Sequence, residues 1–408
     1  MNIGTEEILI IGCGLVIVSY LFSIISSYIR IPSVLLLLFA GIGFRAIADA
    51  GHFSVAFSPK LIELLGVIGL IMIVLEAGLD LKLDRSKIKL VRDSFLSALI
   101  ILVLSTALVA TLLHIWLDEP ILSCIVYAIP LSIMSSSIVI PSIHHLSANK
   151  KEFLIYEASF SDIIGIVAFN YFTAKETLTG GSFLTFSGNL ILSVLLSVLV
   201  SLLLFLILSR TRLNIKFFLI FSLLVLIYAG GKMIHLPSLI IILVFGLLIN
   251  NWELVKINFL QKFFPNNQVS ELRDLMHSIT AESSFLVRTF FFILFGYSIS
   301  FSFLNQTDVI LVGSLIVLIL FFIRLIYLRF TLRTNMFPES FFIPRGLITI
   351  VLFYKIPETL KLTSFNDGIL FFVILVTSVI MMLGMILYKK TPEELVEEGQ
   401  FSERPDIL

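Results

Sequence analysis

Glu157-Ala158-Ser159-Phe160-Ser161-Asp162 puts two carboxylates in the middle of an apolar run long enough to cross a bilayer. Ionisable groups at that depth are costly and mark ion or proton pathways, because a buried carboxylate needs a proton, a cation or a basic side chain to neutralise it. The chemistry on offer is therefore the binding and release of small positive charges. Five residues turn a helix through about 500°, so the two side chains point about 140° apart and one site cannot easily use both. Glu157 shares its face with Ser161, and Asp162 shares its face with Ala158 and Ser159. The economical division gives one carboxylate a basic partner on another helix and leaves the other to meet a substrate. Membrane-embedded basic residues are few: Arg324 and Arg345 are the candidates for that partner, while Arg288, near a helix start, reads as an end residue that snorkels.

Composition sets the frame that must position these groups. Hydrophobic residues make up 58% of the 408 and charged residues 14%, against roughly a quarter in soluble domains. With a mean hydropathy of +1.07, the chain is a polytopic membrane protein. Its 28 basic and 28 acidic side chains cancel, so no global field points to nucleic acid. Cys13 and Cys124 both lie in apolar runs and suit small buried hydrophobes better than a disulfide or a metal site. No cofactor is expected. The first apolar run is too long for a signal-peptide core, and Glu6 and Glu7 stand where such a peptide carries basic residues.

One crossing takes about 17 to 25 apolar residues, which predicts an all-α protein of about 13 transmembrane helices. The spans fall near 8–29, 31–47, 61–79, 94–117, 121–145, 152–173, 184–209, 215–233, 236–250, 283–303, 308–331, 340–356 and 368–388. Basic residues collect in every second connection: Lys82 to Arg92, Lys150 and Lys151, Arg210 to Lys216, Lys256 to Arg273, Arg329 and Arg333, and Lys389 and Lys390. The positive-inside rule then puts the N-terminus outside and the C-terminus in the cytoplasm, as an odd number of spans of a cell membrane protein requires. Glu271 to Met276, in the one long connection, reads as a surface helix.

An internal repeat is also visible. The second span opens Ile31-Pro32-Ser33-Val34-Leu35 and reaches Gly41, and the ninth opens Leu236-Pro237-Ser238-Leu239-Ile240 and reaches Gly246 at the same offset. Copies an odd number of spans apart enter the membrane from opposite sides, so spans 2–6 and 9–13 form two inverted repeats, the architecture of secondary transporters. Leu75-Glu76-Ala77-Gly78 then pairs with Ile293-Leu294-Phe295-Gly296, and the fifth span pairs with the twelfth. Both of the latter carry breakers. Pro141 cannot donate to Ser137 four residues back, beside the hydroxyls of Ser135, Ser136 and Ser137, and Pro344-Arg345-Gly346 does the same to Ser340. Unwound carbonyls at partner positions in crossing, broken helices build ion sites in such folds.

These motifs, in this order and on these spans, resemble the monovalent cation:proton antiporter superfamily of sodium/proton exchanger type. Glu157 to Asp162 is similar to its Glu-Ser-Leu-Leu-Asn-Asp motif, Leu75 to Gly78 to its Phe-Glu-x-Gly, and Arg345-Gly346 to its Leu-Arg-Gly. Arg324 falls where the family carries an arginine. The resemblance covers about residues 8–388 and implies that Asp162 binds the cation or the proton, that Glu157 and Arg324 form a structural ion pair, and that Arg345 and Glu76 support the site. It also implies a homodimer, with a core bundle of about 94–173 and 308–388 moving against a scaffold of about 8–79 and 215–303. The antiporter domain would fill 1–390, leaving a short cytoplasmic tail of 391–408.

The departures narrow the expected function. Ser161 stands where the electrogenic branch has a second aspartate, so Asp162 can balance one positive charge and exchange is expected to be electroneutral, one cation for one proton. Ser136 and Ser137 stand in a serine run closer to the potassium-efflux branch, which leaves Na+, K+ and Li+ open, Na+ first. The alternative is a sodium-coupled symporter of a small organic solute. A membrane hydrolase would need a base beside the serines of the fifth span, and within the membrane the sequence provides none, so no enzyme activity is expected.

Overall fold

The computed structural model describes residues 5–29, 31–50, 59–83, 87–143, 145–173, 188, 191–192, 194–200, 202–203, 217–233, 238–254, 266–298, 306–332 and 337–389. Most of the seventh span, Pro237 of the second repeat and the tail from 390 lie outside them. Among the described residues there are thirteen α-helices and no strand. They are α1 (Thr5–Ile29), α2 (Ser33–Ala50), α3 (Pro59–Asp80), α4 (Ile88–Leu117), α5 (Ile121–Ser132), α6 (Ser136–Ser142) and α7 (Ala148–Thr173). Then follow α8 (Phe217–Met233), α9 (Ser238–Asn250), α10 (Asn266–Ser298), α11 (Thr307–Tyr327), α12 (Leu347–Tyr354) and α13 (Asp367–Leu387). Six of the described helical segments are long and apolar enough to span a membrane. A helix satisfies its own backbone polar groups, which is why such sequences take no other form in lipid.

Two expectations from the sequence need correcting. Glu271 to Met276 is not a separate surface helix; it is the first part of the continuous α10. Val269, Leu272 and Met276 are buried at helical spacing there, so an amphipathic start runs in register into the apolar part that begins near Phe285. Cys124 is buried as anticipated, but Cys13 is exposed on α1, among outward apolar residues such as Ile10 and Ile17.

The described chain forms two compact units, one of Met1–Val55, Lys89–Gly165 and Thr289–Leu408, the other of Ala56–Ile88 and Ile166–Arg288. Within the first, α2 crosses α10 where Gly41 meets Gly296: a Cβ on Gly41 would overlap the carbonyl oxygen of Ile293, and one on Gly296 that of Leu38. Within the second, α3 crosses α9 where Gly78 meets Gly246, with a Cβ on Gly78 falling 2.8 Å from Leu243 O and one on Gly246 3.0 Å from Leu75 O. Gly41 and Gly246 are the glycines matched in the repeat, and Gly78 and Gly296 are the pair it predicts. The first helix of each repeat thus crosses the second helix of the other. Past each crossing a polar side chain closes the end of the partner helix. Arg45 donates to Tyr297 O and Ser298 O, and Asn251 donates to Leu81 O while accepting from Leu83 N–H.

The fifth and twelfth spans are both broken, though not at the bonds their prolines suggest. Pro141 lies one residue before the end of α6, and the chain unwinds earlier, over Ile133 to Ser135, where Ile133 and Ser135 adopt extended backbone angles. Ser340 belongs to a single 3-10 turn, Glu339–Phe341, and residues 342–346 form no helix, so Pro344 has no helical bond to remove. The breaks sit where neighbouring segments supply the backbone with other partners, and those partners define the site.

Candidate functional site

Four of the backbone groups at the unwound stretch of Ile133 to Ser135 take partners from within the first unit. The N–H of Met134 donates to Ser161 Oγ at 2.9 Å, that of Ser135 to Pro344 O at 3.0 Å, and that of Ser136 to Asp162 Oδ2 at 3.3 Å. Leu131 O accepts from Arg345 Nε at 2.6 Å, and Arg345 also holds Ile343 O through Nη1 at 2.9 Å. Buried backbone groups must be paired, so these bonds let the two spans unwind and lie against one another. At the contact, a Cβ on Gly346 would overlap Ser135 Oγ and fall 2.8 Å from Ser135 Cβ. Glycine admits that approach.

α7 supplies both carboxylates, each only 1% exposed, and the structure treats them differently. Glu157 takes a two-pronged ion pair from Arg324 of α11, Nη1 to Oε1 at 2.9 Å and Nη2 to Oε2 at 2.7 Å, and Ser97 of α4 adds a hydroxyl donor to Oε1 at 2.5 Å. Parallel N–H donors on a carboxylate give the strongest and most directional ion pairs. Arg324 Nε donates to Glu339 O at 2.7 Å. Its neighbours Ile323 and Tyr327 pack with Ile101 of α4, which fixes the face that α11 presents. Arg345, buried on the other broken span, takes no part in this pair.

Asp162 has no basic partner among the described residues. Oδ2 accepts the Ser136 N–H, and Oδ1 is buried with no hydrogen-bond partner. One turn back on the same face, Ser159 Oγ is likewise buried and unpartnered. Ser135 and Ser137 share a hydroxyl hydrogen bond of 2.9 Å, and Ser161 Oγ is committed to Met134 N–H. A cavity bordered by Glu157, Ser161, Arg324 and Arg345 lies in the same unit, with Asp162 not among its lining residues. The arrangement can hold one small cation or one proton on a carboxylate whose charge nothing else balances.

Of the residues singled out in the sequence, Asp162, Ser136, Ser137 and Ser161 gather at the breaks, and Glu157, Arg324 and Arg345 gather beside them. Glu76 lies in the second unit. It pairs with Arg288 through two contacts of 3.4 Å, so Arg288 does more than snorkel. Three participants escaped the sequence: Ser97, Thr377, whose Oγ1 receives the Arg345 N–H, and Glu339. Helical spacing had already placed Ser159 on the Asp162 face, whereas Ser97, Thr377 and Glu339 act through tertiary contacts that no spacing encodes.

Two broken helices crossing beside a buried, unbalanced carboxylate, within two repeats of opposite sense, define a secondary transporter of ions. The transmembrane sodium/hydrogen exchanger family matches residues 15–388, and the chain belongs to that family. No curated protein matches it in sequence. Among solved structures, it is similar to the sodium proton antiporter MjNhaP1 of Methanocaldococcus jannaschii at pH 8, with a TM-score of 0.64 at 18% identity over 93% of this chain and 98% of that one. An electron-microscopy structure of the same antiporter gives 0.63 at 16% identity, over 98% and 97%. The likeness is one of fold, and family membership makes the chain a multi-pass membrane protein that exchanges cations for protons.

Proposed function

We propose that Asp162 is the single exchangeable carboxylate and that the protein exchanges one monovalent cation, Na+ first and K+ or Li+ as alternatives, for one proton. The observation that carries this is the contrast on α7. Glu157 is neutralised by Arg324, whereas Asp162, equally buried, has one amide donor and a free oxygen. Such a carboxylate is stable in low dielectric only when loaded, so a proton and a cation compete for it, and the loaded carrier crosses where the bare anion does not. Hydroxyl oxygens of Ser136, Ser137, Ser159 and Ser161 complete the shell of a dehydrated cation, and Arg345 keeps the unwound carbonyls of α5 and of its own segment in place. Because the second carboxylate is bound to a fixed arginine, each cycle moves no net charge.

Alternating access follows from movement of a core of about 94–173 and 308–388 against a scaffold of about 8–79 and 215–303, which also holds a homodimer together. The protein sits in a cell membrane with its N-terminus outside, its C-terminus in the cytoplasm and Glu76 in a supporting role. Symport of an organic solute with sodium needs a roomier polar site than a carboxylate ringed by serine hydroxyls. Asp162→Asn tests the assignment: in proteoliposomes with a trapped pH dye, wild type takes up or releases protons on addition of Na+, K+ or Li+, and the variant does not. Cation-driven proton movement by correctly folded Asp162→Asn refutes it.

A further inference from the structure

Lys150 looks at first like a topology signal, one of two lysines at a membrane boundary. The structure turns it inward. Lys150 lies in the first turn of α7, seven residues before Glu157 and therefore on the same helix face. Its Nζ reaches Glu339 Oε2 at 3.4 Å and Phe337 O at 2.6 Å, and stands 5.2 Å over the Tyr388 ring. The side chains of Lys150 and Glu339 are only 15% and 10% exposed. The carbonyl of the same Glu339 accepts Arg324 Nε, and Arg324 grips Glu157. α7 is therefore clasped twice along one face, Lys150 to Glu339 and Glu157 to Arg324, with opposite polarity in the two pairs and Glu339 common to both.

We infer that Lys150 and Glu339 are positioning residues for exchange: their contact fixes the roll of α7, and with it the approach of Asp162 to Ser136. Five residues beyond Glu157, Asp162 is carried by the same rigid helix, and a small rotation would withdraw Oδ2 from an amide that it meets at 3.3 Å. Phe160, edge-on to Phe95 of α4 at 5.3 Å, turns with it. Losing the outer clasp then lowers the fraction of molecules in which Asp162 is correctly set. Apparent affinity falls in proportion to that fraction, while a loaded carrier still crosses at its usual rate. The inference rests on exchange at Asp162.

Proteoliposome exchange measured against cation concentration separates this from a merely structural role. For Lys150→Met the half-saturating cation concentration is expected to rise about fivefold with the maximal rate within about twofold of wild type. Lys150→Arg, and the charge swap of Lys150→Glu with Glu339→Lys, should both return it towards the wild-type value. Size-exclusion profiles establish that each variant is folded; if Lys150→Met is not, Glu339→Gln gives the same reading from the other side of the contact. An unchanged half-saturation, a loss confined to maximal rate, or a charge swap that behaves no better than the single changes overturns the inference. Wild-type vesicles that exchange nothing, or Asp162→Asn vesicles that exchange normally, overturn the underlying assignment instead.

Discussion

Arg324→Leu exposes the logic of the buried ion pair most clearly. It removes two charged contacts of 2.9 and 2.7 Å to Glu157 and one of 2.7 Å to Glu339 O, leaving a carboxylate that is 1% exposed with only the Ser97 hydroxyl. An uncompensated buried charge costs about 3–5 kcal/mol, and the orphaned carbonyl adds about 1 kcal/mol. Glu157→Leu leaves Arg324 stranded at similar cost. Removing both as leucines deletes the charges together, so only the orphaned Glu339 carbonyl and the orphaned Ser97 hydroxyl should remain, about 1 kcal/mol each. The cycle therefore predicts a coupling of several kcal/mol, read from denaturant titration of purified protein in mixed micelles. If the pair is structural, the double variant also retains exchange in proteoliposomes. Single variants that cost less than about 1 kcal/mol, as surface pairs do, or costs that simply add, would refute the reasoning. So would a stable double variant that exchanges nothing.

Two further outcomes follow from the helix crossings and the loops. Gly41→Ala, whose new methyl would meet the backbone of α10, should destabilise by about 1–3 kcal/mol, whereas Gly43→Ala, with nothing within 4 Å, should be neutral or stabilising by about 0.5–1 kcal/mol; thermal denaturation of the two side by side checks this. In the loop between α4 and α5, the Thr363 hydroxyl and N–H donate to Glu119 at 2.7 and 3.1 Å and hold its carboxyl below the usual range. A depressed carboxyl contributes stability above its unfolded value that is lost as pH falls through the depressed one, so acidification across that interval should lower the melting temperature of wild type more than that of Thr363→Val.

The class of fold was legible because lipid imposes a length and an apolar composition on every crossing, and the repeat was legible because close helix crossings demand glycine at fixed offsets. Glu157 and Asp162 stood out because charge within a span is costly, and helical rotation alone separated them. The place of the breaks was not legible. Pro141 and Pro344 draw attention, but the chain unwinds at Ile133 to Ser135, where Ser161, Pro344, Asp162 and Arg345 pair with the freed backbone. Those partners lie between 26 and 214 residues away along the chain, beyond the reach of local pattern. The contacts of Lys150 were not legible for the same reason, since its partner Glu339 is 189 residues distant.

The central claim, a single exchangeable carboxylate, is tested most directly by the null point of exchange. Proteoliposomes are given a cation gradient and a proton gradient of equal ratio and the same direction, and the membrane potential is then clamped at several values. One-for-one exchange predicts no net proton movement at any potential. A null point that moves with potential, by the roughly 2.3 kcal/mol per charge per 100 mV that a translocated charge feels, would show that more than Asp162 carries the load.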